Sequence, residues 1–138
     1  MDGPSHSFEE HISEVELHLR AGTLSELFSE AVRAVAELML GDEGARRPAT
    51  VVDEVTVEAP DREALLAAWI DELVFRAETR KAVFTEVTVT RLDEREIAAQ
   101  IRGIAEPVVK TAVKAATFHG LRVVERDGLY LATVVLDV

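Results

Sequence analysis

The chain has 138 residues, of which 48% are hydrophobic and 30% charged, a composition typical of a folded domain with a solvated surface. It contains no cysteine, which excludes disulfides and thiolate metal sites. Its 26 acidic and 15 basic side chains give a formal net charge of −11, which repels phosphate backbones, so we expect no direct nucleic-acid binding.

Segments that direct a protein to a membrane are not evident in the sequence. No apolar stretch is long enough to cross a bilayer, and no N-terminal run resembles a signal peptide. The sequence therefore predicts a cytoplasmic protein without membrane association. At this length, we expect residues 1–138 to form a single domain.

The first third of the chain predicts one strand followed by one helix. Residues 1–10 carry Gly, Pro and Ser and predict an extended lead-in. Strict alternation of polar and apolar residues from Glu14 predicts a half-buried strand. The capping box Thr23-Leu-Ser-Glu26 predicts the start of a helix, and Gly41 is placed to end it.

The middle of the chain repeats this order. After a loop over residues 42–50, alternation over residues 51–59 predicts a second strand that Pro60 ends. Asp61 is placed as the N-cap of a second helix, whose apolar residues recur at helical spacing.

The remainder of the chain predicts strands joined by tight turns. Asp127-Gly128 is a type I′ hairpin signal before the last strand. The predicted strands cover residues 83–92, 96–104, 112–119, 121–126 and 129–138.

The resulting order is β-α-β-α-β-β-β-β-β. Two helices separated by single strands and followed by hairpins are typical of an α+β fold, in which the helices pack on a mainly antiparallel sheet. No repeat, long linker or low-complexity segment divides the chain.

Two carboxylates stand side by side at the end of the sequence, the side chain of Asp137 and the main-chain carboxylate of Val138. Both lie at the end of a segment, residues 129–138, that predicts a strand anchored in a sheet. Neighbouring anions held in this way require a cation, backbone N–H groups or open water. The residues alone leave these three alternatives open.

Several enzyme classes lack their sequence signatures. The chain has no glycine-rich phosphate loop, no G-x-S-x-G elbow and no His-x-x-x-His pair on a helix. We therefore expect that the protein is not an enzyme in its own right.

Four segments, in order along nearly the whole chain, resemble motifs of the archease family. The second predicted helix resembles the family pattern Leu-Leu-x-x-Trp-Leu-x-Glu-Leu, and the later segments resemble Val-Lys-Ala-Val-Thr-Tyr-His and the aliphatic-Asp-aliphatic end. The segments are Glu10-His-Ile-Ser-Glu14, Leu65-Leu-Ala-Ala-Trp-Ile-Asp-Glu-Leu73, Val113-Lys-Ala-Ala-Thr-Phe-His119 and Val134-Val-Leu-Asp-Val138.

The resemblance implies an archease-like fold and the role of an activator. Archeases assist the RtcB-type RNA ligase of tRNA splicing and RNA repair, by promoting guanylylation of the ligase and its multiple turnover. An acidic activator suits a ligase that is basic around its RNA site.

The resemblance also implies a divalent cation site, most commonly for Ca²⁺. By motif position its ligands are Glu14, Asp137 and the terminal carboxylate of Val138. The family motif reads Asp-His-Thr-Ala-Asp, so Glu14 stands where the family has Asp, and Ile12 where it has Thr. A flexible Ca²⁺ shell accepts the longer side chain more readily than an octahedral Mg²⁺ site does.

The matched segments contribute further polar residues that we expect to face the partner or a nucleotide: His11, Lys114, Thr117 and His119. Lys114 is alternatively an ion-pair partner of the site carboxylates. Ordinary structural roles are the alternative for the histidines.

Three functional hypotheses therefore stand. The first is a metal-binding activator of the ligase. The second is a chaperone-like interaction module on the same fold that has lost ligase activation, which the substitutions at Ile12 and Glu14 motivate. The third is a metal-dependent hydrolase, which is the weakest because no general base accompanies the carboxylates.

Overall fold

A computed structural model describes residues 3–138 of the protein. The elements in this range are β1 (Ser5–His11), β2 (Glu14–Ala21), α1 (Leu24–Gly44), β3 (Val51–Glu58), α2 (Arg62–Thr79), β4 (Ala82–Leu92), β5 (Glu96–Ala105), β6 (Ala115–Arg126) and β7 (Leu129–Asp137).

The strands form two antiparallel sheets. One has the order β1-β2-β7-β6 and the other the order β3-β5-β4. Both helices contact strands of both sheets. The predicted α+β class is therefore confirmed, with the two helices packed on antiparallel sheets.

Both helices begin at the predicted capping residues. The Thr23 hydroxyl accepts a hydrogen bond from the Glu26 N–H at 3.1 Å, and the Asp61 carboxylate accepts one from the Ala64 N–H at 2.8 Å. Each cap satisfies one of the backbone donors that a helix leaves free at its first turn.

The core is anchored where the two helices meet. The indole N–H of Trp69 on α2 donates to the carbonyl of Phe28 on α1 at 3.0 Å, and the two rings lie 6.4 Å apart. Both side chains are fully buried. The bond satisfies the one polar group that Trp69 brings into the core.

The predicted lead-in over residues 1–10 is wrong for residues 5–10, and residues 1 and 2 lie outside the described range. Residues 5–11 form β1, which pairs with β2 through contacts such as His6 opposite Leu19 and Phe8 opposite Leu17. The segment has one strongly apolar residue, Phe8, and therefore no alternation that signals a strand. The unpaired edge of β2 supplies the hydrogen-bonding partner.

The predicted strands 112–119 and 121–126 are one strand, β6, which begins only at Ala115. Residues 118–121 have no partners on β7, because Thr117 pairs with Val135 and Arg122 pairs with Thr133. Gly120 lies at a φ of +68° inside this bulge. Its left-handed conformation is easy for glycine, and it lets the chain rejoin the same sheet.

Gly41, which is predicted to end α1, leaves helical geometry, with a φ of 78° and a ψ of 170°, but does not end the helix. The chain then resumes helical geometry as far as Gly44, so the predicted loop over residues 42–50 begins later than expected.

Candidate functional site

The four-stranded sheet has one face toward the core and one face away from it. On β2, Val15, Leu17 and Leu19 are buried, whereas Glu14 and His18 are partly exposed. This confirms the predicted alternation. We call the second side the outer face; directly paired residues of neighbouring strands project from the same side.

Glu14 and Asp137 lie directly opposite each other on β2 and β7, at one end of the outer face. Asp137 is in turn opposite Ala115 on β6, and Glu14 is opposite His11 on β1. Two of the predicted ligands are therefore cross-strand neighbours on one side of the sheet. His11 lies beside them in the same row.

The end of β7 is held on both sides by backbone hydrogen bonds. The Val138 N–H donates to the Ser13 carbonyl at 3.1 Å, and the Lys114 N–H donates to the Asp137 carbonyl at 2.8 Å. Val138, whose main-chain carboxylate is the third predicted ligand, is therefore held by a fixed backbone. This end of the sheet presents only oxygen donors from the predicted ligands, the type that Ca²⁺ and Mg²⁺ prefer.

A second acidic group lies one row further along the outer face. Ligand atoms of Glu9, His11 and Glu16 all lie within 4.8 Å of one another, and His11 Nε2 is 3.7 Å from Glu16 Oε2. Glu9 and Glu16 are opposite each other on β1 and β2. Neither Glu9 nor Glu16 was predicted to belong to a site. Because residues 1–10 were predicted to be a lead-in, Glu9 had no predicted place beside Glu16.

The other predicted partner-facing residues lie on or beside β6. Thr117 is opposite Val135, which is opposite Glu16, so Thr117 lies one row from Asp137 on the outer face. His119 is exposed in the bulge, and its N–H donates to the Thr117 hydroxyl at 3.3 Å.

Lys114 lines a different feature, an apolar groove of about 480 Å³ to which Met39, Val74 and Val113 also contribute. Within residues 3–138, Lys114 forms no ion pair with Glu14 or Asp137. The alternative in which Lys114 neutralises these carboxylates is therefore wrong for this structure.

One positioning residue was not predicted. Asp71 on α2 accepts a hydrogen bond from the Ala116 N–H at 2.7 Å, which fixes the start of β6. Partial burial raises the pKa of the Asp71 carboxyl, and this hydrogen bond acts in the opposite direction. The bond joins residues 45 positions apart, so no local signal identifies it.

The fold and the site together define a small α+β protein with a carboxylate row on the open face of an antiparallel sheet. A model of the Archease protein family (MTH1598/TM1083) matches residues 6–138. The chain belongs to the archease family.

None of the helices in residues 3–138 is long and apolar enough to cross a membrane.

The sequence is similar to those of curated relatives over nearly the full length of both chains. The chain is 32% identical over 136 residues to protein archease of Methanopyrus kandleri, covering 93% of this chain and 95% of the relative. It is 31% identical over 139 residues to protein archease of Pyrobaculum islandicum, covering 95% and 93%.

Two solved structures share the fold. The solution structure of Methanobacterium thermoautotrophicum protein 1598 has a TM-score of 0.77 at 28% identity and covers 96% of this chain and 98% of its own. The crystal structure of an archease, possible chaperone (TM1083), from Thermotoga maritima has a TM-score of 0.66 at 16% identity and covers 94% of each chain.

Proposed function

We propose that this protein is an accessory activator of an RtcB-type RNA ligase, and that a divalent cation bound by Glu14, Asp137 and the Val138 carboxylate is part of the activating surface. The observation that carries the proposal is the direct pairing of Glu14 with Asp137 across β2 and β7, in a chain of the archease family. Three carboxylates in this arrangement favour a cation over open water.

The donor set fits a hard cation. All three groups offer carboxylate oxygens, and Ca²⁺ accepts such ligands in a flexible coordination shell. Glu14 is longer than the family's Asp, and its place on the strand next to β7 lets it reach toward Asp137 from the side. When bound, the ion would neutralise the three carboxylates and link the ends of β2 and β7.

The protein's own groups would form the contact with the ligase. The β6 bulge carries Phe118, which is 69% exposed, and His119. Both lie just beyond Thr117 on the strand next to Asp137. The net charge of −11 would steer the protein toward a ligase surface that is basic for RNA binding.

The proposal is tested by mixing the protein with an RtcB-type ligase from the same source, GTP and Mn²⁺. We expect faster guanylylation of the ligase and more ligation cycles per enzyme. Asp137→Asn should remove the acceleration, whereas Glu54→Gln, an exposed carboxylate on the other sheet, should retain it. Guanylylation that is unchanged by a stoichiometric amount of the protein would overturn the proposal.

A second candidate is a chaperone-like interaction module without ligase activation. Ile12, which stands in place of the family Thr, is 96% exposed at the β1–β2 turn beside the site. Such a module would suppress aggregation of heated ligase, and Ile12→Thr would weaken this suppression while guanylylation stayed at its basal rate. Ligase activation that is dependent on Asp137 would exclude this candidate.

A further inference from the structure

The other end of the outer face carries a basic cavity. Its volume is about 360 Å³, and its polar lining includes Ser5, Ser7, His18, Arg122, Arg126 and Thr133. These residues come from β1, β2, β6 and β7, so the whole width of the sheet builds the cavity. We call it the arginine cavity.

The strand register explains why both arginines line the cavity. Arg122, Val124 and Arg126 alternate along β6 and pair with Thr133, Leu131 and Leu129 on β7. At the usual rise of a strand, the backbones of Arg122 and Arg126 are about 13 Å apart. Their long side chains border the cavity from the β6 edge, above a floor formed by Val124 and Leu131.

The cavity lining itself carries arginines, while the carboxylates of Glu9 and Glu16 lie beside it, 3.6 Å and 3.3 Å from His18 Nε2. The sequence has 26 Asp and Glu residues, yet no carboxylate side chain is among the described residues that line the arginine cavity. Within residues 3–138, Arg122 and Arg126 form no ion pair. Arg20 also lines the cavity but already interacts with another group, so only Arg122 and Arg126 are proposed to bind the anion. Two exposed guanidinium groups are thus available to an anion.

Hydroxyl groups also line the cavity, on β1 opposite the arginines and on β7 beside Arg122. Ser5 and Ser7 on β1 project from the outer face, because they pair with Arg20 and His18. The Thr133 hydroxyl lies 3.4 Å from His18 Nδ1. Guanidinium and hydroxyl donors around one cavity match the oxygens of a phosphate group, which arginine binds in a bidentate manner.

We propose that the arginine cavity binds the phosphate groups of a small phosphorylated molecule, such as a nucleotide or an inorganic polyphosphate. Its volume falls within the range of small-molecule sites, about 300–1,000 Å³. The net charge of −11 would repel a long nucleic acid along its whole length. A small anion interacts mainly with charges within a Debye length of about 8 Å at physiological ionic strength.

The arginine cavity is separate from the proposed cation site. Thr133 and Asp137 are four residues apart on β7, which corresponds to about 13 Å along the strand. The phosphate proposal therefore does not depend on the cation, and Asp137→Asn should leave phosphate binding unchanged.

The test is isothermal titration calorimetry of the full chain with inorganic tripolyphosphate, GTP and ATP, at an ionic strength of about 0.15 M and without divalent cations. We expect tripolyphosphate to bind, and Arg122→Gln and Arg126→Gln each to weaken binding about tenfold, the typical effect of one charge-assisted hydrogen bond. Arg95→Gln, an exposed arginine in the β4–β5 turn, is the matched control and should bind as the native chain does.

The source of the phosphate follows from the relative affinities. A nucleotide that binds about tenfold tighter than tripolyphosphate or more would place the nucleoside on the Val124 and Leu131 floor. Equal affinities would assign an inorganic polyphosphate. Both results support a phosphate site.

The proposal is overturned if no phosphorylated ligand binds at millimolar concentration, or if the double variant Arg122→Gln/Arg126→Gln binds as the native chain does. It is also overturned if a short RNA binds while tripolyphosphate does not, since the surface would then recognise a nucleic acid. Matching thermal unfolding of each variant and the native chain shows that the substitutions leave the fold intact.

Discussion

Glu14 and Asp137, from the two ends of the sequence, are paired directly across neighbouring antiparallel strands. Like charges placed opposite each other destabilise a sheet. Two charged carboxylates at these positions therefore lower the stability of the fold, and a bound cation would remove this repulsion. The geometry of this pair is the main physical support for the cation that we propose at this end of the sheet.

The first prediction concerns this repulsion. In the presence of a chelator, Asp137→Asn or Glu14→Gln should raise the free energy of unfolding by about 0.5 kcal/mol, because one of two facing charges is removed. Urea denaturation followed by circular dichroism measures the change. A neutral variant that is less stable than the native chain under chelation would show that the two carboxylates do not repel each other.

The second prediction concerns His6, which links β1 to α1. His6 Nδ1 is 2.7 Å from Glu30 Oε2, and Nε2 is 3.2 Å from Glu37 Oε2. The hydrogen bond to Glu30 is the main cause that raises the pKa of His6, against the lowering effect of burial. The same bond holds the pKa of the Glu30 carboxyl below its usual value.

Because the folded state binds the His6 proton more tightly, the stabilisation is complete below the unfolded pKa of about 6.5. It is lost as the pH rises through the higher folded pKa. The difference in unfolding free energy between the native chain and His6→Gln should therefore shrink as the pH rises above about 6.5. His119→Gln, in the exposed bulge, is the control. A difference that grows with pH would contradict the assignment.

The third prediction concerns the link from α2 to β6. Asp71→Ala should free the Ala116 N–H, speed its hydrogen exchange and lower the free energy of unfolding by about 1 kcal/mol. Asp71→Asn keeps the side-chain oxygen that accepts this bond and should protect the amide more than Asp71→Ala does. Equal exchange of the Ala116 amide in both variants and the native chain would show that the bond does not fix the strand.

The fourth prediction concerns close backbone packing at Gly103 on β5. A Cβ atom there would lie 2.8 Å from the Val83 carbonyl oxygen and 3.1 Å from Phe84 Cα. Backbone atoms cannot move aside as a flexible side chain can, so Gly103→Ala should destabilise the fold by about 1–3 kcal/mol.

The matched control for this change is Gly22→Ala, whose nearest contact is ordinary, at 3.4 Å from Glu26 Oε1. We expect it to alter the free energy of unfolding by less than about 0.5 kcal/mol, as measured by urea denaturation. Equal effects of the two substitutions would contradict the packing argument.

Local patterns were sufficient for most of the fold. The cap residues Thr23 and Asp61 each indicate the start of a helix, because their side chains accept hydrogen bonds from the first turn. The alternation after Glu14 indicates a strand. The Asp127-Gly128 turn has positive φ at both residues, as its type requires. These features depend on neighbours within a few positions and are therefore visible in the sequence.

Features that depend on residues distant in the sequence could not be predicted from local patterns. β1 is a strand because β2 offers it an edge, and the β6 bulge arises from the register of β6 against β7. Glu9 lies beside Glu16 and His11 only because of that pairing, and Arg122 and Ser7 line one cavity although they stand on strands at opposite edges of the sheet. The predicted ligands came from motif resemblance; the structure adds that Glu14 faces Asp137.

The most direct measurement of the central claim is a calorimetric titration of the native chain with Ca²⁺, beside Asp137→Asn and a form with a few residues appended after Val138. We expect a Ca²⁺ site in the native chain, a corresponding rise in its melting temperature, and the loss of both in the two altered forms. Ca²⁺ binding of equal affinity in all three forms would contradict the assignment of Asp137 and the Val138 carboxylate as ligands.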